Sequence, residues 1–246
     1  MTPDMTYETP PAPMSEAGRL SGVIFEPGKA FADIVARPRF YVPLALLLLV
    51  AIGFTAAVQK RVGWETAMRT AMERSPRVQQ MPEEQREQII QQQGKVMSVA
   101  GYPIAVVMPV VMMLIVSGVY LFIFRTILSV PMNFRQMVAI YCYASMPAVI
   151  SSLLAILVMF LKPPEEFDVQ NPTMFNVGAF LPDSAPAWLT AAGTSLDLFM
   201  IWLLLLIVVG VRALAPRLSP GSAMAGVFGP WLVLVVLKTG WAALFG

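Results

Sequence analysis

Two charged side chains lie inside long apolar runs: Asp197 in the run 189–211 and Lys238 in the run 227–245. A charge at the bilayer centre costs about 2.5–3.5 kcal/mol on insertion scales, so such groups normally face a bundle interior and find partners. Asp197 lies eight residues past Leu189, and Lys238 lies eleven residues past Val227. At a helical rise of about 1.5 Å per residue, these are depths of about 12 Å and 16 Å from opposite faces. In a core about 30 Å thick the two charges fall within roughly 2 Å of one level. The spacing therefore predicts an Asp197–Lys238 ion pair between antiparallel helices. Such a pair would either fix helix register or form a polar site for a proton, an ion or a lipid headgroup. Two separate arrangements stay open: Lys238 snorkelling to an interface, and Asp197 met by Thr194, Ser195 or water.

Other chemistry is sparse. The chain has no histidine and one cysteine, Cys142. This excludes histidine bases, histidine metal sites and an intrachain disulfide. Serine–lysine chemistry would need Ser195 or Ser145 beside Lys238, and no local spacing brings them together. Glu83 and Glu84 with Arg86 lie outside any apolar run and have the wrong spacing for an intramembrane protease. The net charge of +2 does not indicate nucleic acid. No cofactor, metal site or catalytic residue is expected.

The elements that would hold these residues come from composition. Of 246 residues, 57% are hydrophobic and 13% charged, against about 25% charged in soluble domains. Five apolar runs, 41–58, 102–124, 137–161, 189–211 and 227–245, contain only Asp197 and Lys238 as charges. The expected fold is all-α: a polytopic integral membrane protein with a five-helix transmembrane bundle and amphipathic flanking helices. Residues 1–14 read as a disordered tail, 15–40 as amphipathic helices at the membrane interface, and 41–246 as the membrane domain. The first apolar run starts only at Tyr41, so it is expected to be a retained span and not a signal peptide.

Within 15–38, Leu20, Val23 and Ile24 recur at helical spacing. Pro27 suits a second helix start, with Phe31, Ile34 and Val35 on one face. These helices either lie on lipid or pack on the bundle, and Arg37 and Arg39 are candidate contacts for lipid headgroups. The connection 59–101 reads as two amphipathic helices, the second starting after Pro82, that cap the bundle as a hairpin. Pro147 predicts a kink in the third span. Ala144, Ala148 and Ser152, each four apart, form a candidate helix-packing face. Residues 162–188 form an acidic loop, and Trp188 is expected at the interface.

With the N-terminus inside, inner and outer segments each hold eight basic residues. The short loops decide the orientation. Loops 125–136 and 212–226 carry two arginines each and no acid, which favours a cytoplasmic N-terminus and an outside C-terminus. The basic connection 59–101 argues the other way.

Three passages resemble the Yip (Ypt-interacting protein) domain family in its bacterial, five-span form. They are GVIFEPGKAFADIVARPRFYVPL (22–44), NFRQMVAIYCYASMP (133–147) and DLFMIWLLLLIVVGVR (197–212). The resemblance implies a cytoplasmic N-terminus in a bacterial inner membrane. Eukaryotic members are associated with Rab-type GTPases, vesicle traffic and membrane shaping. Their longer N-terminal motifs are missing from residues 1–20, so GTPase binding is not carried over. The family supplies no reaction and no catalytic residues. The expected role is a non-enzymatic scaffold that organises membrane lipid, further copies of itself or other membrane proteins. The alternative is a small transporter, channel or lipid-moving protein that uses Asp197 and Lys238.

Overall fold

The structure is a computed structural model that describes residues 12–73, 81–182 and 184–245. Most of the expected tail 1–14 lies outside this range. The described residues are helical, and their one β-bridge joins Asn176 to Asp197.

Helix α1 (Glu16–Phe25) starts where the Ser15 side chain accepts the Gly18 N–H, satisfying a donor the helix itself leaves unpaired. Helix α2 (Pro27–Ala36) carries proline at its first position, where no N–H is needed. The apolar face read from the sequence is fully buried at Val23, Phe31 and Ile34. The two helices therefore pack on the protein's own bundle through this face.

The bundle follows. Helix α3 (Tyr41–Ala57) ends in a wide turn, Val58–Val62. Helix α4 (Trp64–Glu73) folds back on α5 (Glu83–Leu121), which ends in a second wide turn, Phe122–Ile127. At 39 residues, α5 fuses the expected second loop helix with the second span. It passes unbroken through Pro103 and Pro109, as membrane helices do where neighbours meet the freed carbonyls. Helices α6 (Phe134–Ala144) and α7 (Met146–Leu161) make up the third span. Asn133 and Gln136 cap α6 reciprocally, side chain to backbone. The kink expected near Pro147 is a break at Ser145: Pro147 has no N–H to give to the carbonyl four residues back, and it sits in the first turn of the new helix.

Four helical segments are long and apolar enough to cross a membrane: Tyr41–Val62, Glu83–Ile127, Phe134–Leu161 and Pro220–Phe245. The expected fourth span, 189–211, is not one helix. It consists of α8 (Ala187–Ser195) and α9 (Leu198–Leu214), and the 17 residues of α9 fall short of the length that qualifies the others. Among the described residues, four helices and not five therefore meet that length by themselves. Helix α10 (Pro220–Phe245) starts seven residues before the apolar run.

The core lies at one end of the bundle. Helix α2 packs against α6 and α9, and α9 packs against α10. Gly210 on α9 makes the first of these contacts close. A Cβ there would stand 2.6 Å from Ile140 Cγ2 and 3.0 Å from Phe31 Cδ1. Phe124, Met137, Ile140, Tyr143, Ile207 and Val227 complete this core, all fully buried. A smaller core of Val58, Val62, Trp64, Ala67, Met159 and Phe167 joins α4 to the loop after α7.

Candidate functional site

Polar groups gather in two places. The first is the break between α8 and α9. Loop residues reach it from 175–180: the Val177 N–H donates to Leu196 O at 3.3 Å, and the Leu198 N–H donates to Phe175 O at 2.9 Å. Gly178 allows the close approach. A Cβ on it would lie 2.6 Å from Thr194 Cγ2 and 2.8 Å from Thr194 N. These contacts end α8 at Ser195 and let Asp197 start α9, its Oδ1 accepting the Met200 N–H at 3.0 Å.

Lys238 on α10 meets this break. Its Nζ donates to Thr194 Oγ1 at 3.1 Å and to Ser195 Oγ at 3.3 Å. Each hydroxyl gives its own proton to a helix carbonyl: Thr194 to Thr190 O at 2.9 Å, and Ser195 to Ala191 O at 2.7 Å. The hydroxyls therefore turn lone pairs toward the ammonium. No Asp197–Lys238 ion pair is among the salt bridges of the described residues, so the sequence-predicted pair does not form in this structure. The depth estimate took 189–211 as one unbroken helix, and the break changes where Asp197 stands. Ser195 and Lys238 do come together. The Ser195 proton points at Ala191, however, and Lys238 acts as a donor, an arrangement that holds a cation in place.

The second place is a buried charge cluster joining α1, α2 and α6. Arg19 is 2% exposed, and its Nε and Nη2 both lie 2.7 Å from Asp33 Oδ2. Its Nη1 lies 3.4 Å from Glu16 Oε1. The hydroxyl of Tyr143, a fully buried residue, donates to Glu16 Oε2. Arg37 Nη1 lies 3.6 Å from Asp33 Oδ1. Arg37 thus shares a carboxylate, while Arg39 is exposed.

The sequence reading missed this cluster. One signal was available: Arg19 precedes Val23 by four residues, which puts a charge on the buried face of α1. The Ala144–Ala148–Ser152 face is interrupted by the break at Ser145. Ala144 is buried and the other two are half-buried, while Val149, Ala155 and Met159 form the deeper face of α7. Among the described residues, no group of three or more His, Cys, Asp or Glu could hold a metal ion.

Long apolar helices around a one-sided core define a multi-pass helical membrane protein. The profile of the Yip1 domain matches residues 21–241, and the chain belongs to that family. Among curated proteins and solved structures, nothing matches the chain.

Proposed function

We propose that this protein is a non-enzymatic scaffold of the bacterial inner membrane that binds partners through the face built by α1 and α2. One observation carries the reading. The buried Arg19–Asp33 pair and the buried Phe31 fasten α1 and α2 to the bundle, while Phe25 at their corner is 81% exposed. Phe25 is the point of this fastened helix pair at which a partner's apolar surface would seat. The rim beside Phe25 is polar: Lys29 pairs with Glu26 at 3.3 Å, and Arg39 is exposed at the far end of α2.

The N-terminus is cytoplasmic in this reading. Supporting it, Arg135 Nε donates to Pro38 O at 2.9 Å, which sets the short basic loop before α6 beside the end of α2. Helices α8 and α9 both pack along α10 and together provide the fifth crossing, leaving the C-terminus outside.

The test is a photo-crosslinking amino acid at position 25 in cells. Reproducible adducts of discrete mass with protein are expected, either with a second copy or with another membrane protein. Adducts with lipid alone would overturn the partner-binding role. Topology reporters after Gly63 and at Gly246 are expected to read outside.

A further inference from the structure

The charge on Lys238 is not neutralised by any carboxylate among the described residues, since its Nζ meets only two neutral hydroxyls. The surroundings on α10 are apolar and open: Leu234, Leu237 and Trp241 are each more than 60% exposed. Lys238 stands eleven residues past Val227, where the apolar run begins, and seven residues before Phe245, where α10 ends. At 1.5 Å per residue its backbone lies about 16 Å into a core of about 30 Å and about 10 Å short of the helix end. The four-carbon stem of a lysine carries its ammonium toward the boundary between acyl chains and headgroups, here at the end of α10 away from the main core. Trp241 and the half-exposed Trp188 on α8 are residue types that collect at that level.

A lysine carries three N–H donors, and two are used here. The hydroxyls of Thr194 and Ser195 accept from it, while their own protons go to Thr190 O and Ala191 O. They orient the ammonium without cancelling its charge. An ordered cation with one free donor, exposed among apolar side chains, offers a place for an anionic oxygen acceptor. The carboxylate of Asp197 caps α9 and forms no ion pair with Lys238. From this geometry we propose that Lys238, Thr194 and Ser195 form a binding site for a phosphate oxyanion, supplied by a phospholipid headgroup or by free phosphate. The site is separate from the α1–α2 face, so its failure leaves the scaffold reading standing.

The test uses the full chain in detergent, with native mass spectrometry against phosphatidylglycerol, diacylglycerol and inorganic phosphate. Phosphatidylglycerol is expected to bind, and Lys238→Met to weaken it about tenfold, the size of a charged hydrogen bond. Lys238→Arg is expected to retain binding. The double change Thr194→Val with Ser195→Ala keeps the charge, loosens its position and weakens binding several-fold. Competition by millimolar inorganic phosphate identifies the free ion as the ligand, and no competition identifies the lipid. The proposal is overturned by equal binding of diacylglycerol. It is also overturned by unchanged phosphatidylglycerol binding in Lys238→Met and in the double variant.

Discussion

Replacing Arg19 by leucine breaks an ion pair whose side chains are only 3% and 11% exposed. Removing one partner of a buried pair typically costs about 3–5 kcal/mol, because the remaining charge stays desolvated. Here Arg37 remains 3.6 Å from Asp33 Oδ1 and compensates part of the loss. The expected cost therefore lies near the lower end, about 3 kcal/mol, or roughly a hundredfold in an opening equilibrium. The opening is local, since Asp33 regains water once α1 lifts off the bundle. The assay follows a cysteine placed at Val23, which is fully buried, and measures its maleimide labelling in nanodiscs. Arg19→Leu is expected to raise the labelling rate about a hundredfold. Arg19→Leu combined with Asp33→Leu is expected to return most of the way, since a buried pair replaced by apolar residues is often neutral or better. The reasoning fails if the single variant labels within about twofold of the parent. It also fails if the double variant labels as fast as the single one.

Gly178→Ala is expected to lower the detergent melting temperature, at a cost of about 1–3 kcal/mol from overpacking against Thr194. Gly221→Ala, where a Cβ meets nothing within 4 Å, is expected to leave the melting temperature unchanged or raise it. The hydrogen bonds from Arg69 hold the Glu87 carboxyl below its usual range, so the folded state binds fewer protons there than the unfolded one. That contribution is present above the ordinary glutamate value of about 4.3 and is lost as pH falls through the lowered one. Hydrogen exchange in α4 is expected to stay protected down to about pH 4 and to rise only below it, and Glu87→Gln is expected to remove this dependence. A rise between pH 8 and 6 would contradict the assignment.

Much of the architecture was legible because apolar runs and helical periodicity are local signals. The buried face of α2 was readable from Phe31, Ile34 and Val35, and the start of α5 was readable from Pro82 and the acids after it. The break between α8 and α9 was not, since it is imposed by loop residues about 20 positions earlier. Val177 and Phe175 bond to the backbone at Leu196 and Leu198, and Gly178 seats against Thr194. The Asp197–Lys238 expectation failed for the same reason, while Thr194 and Ser195, named only as alternatives for Asp197, hold Lys238 instead. The Arg19–Asp33 pair joins two helices across a turn at Glu26, and no periodicity within either helix reports a contact between them.

Helix α5 behaves mechanically as a mast. Its 39 residues span about 58 Å at 1.5 Å per residue, nearly twice the thickness of a bilayer core. Residues 83–100 alone extend about 27 Å, and α4 is strapped along them. With no joint between the two halves, a tilt of about 10° within the lipid swings the far tip by roughly 5 Å. A slight change in bilayer thickness or in neighbouring spans would therefore be read out, enlarged, at the opposite extremity of the molecule.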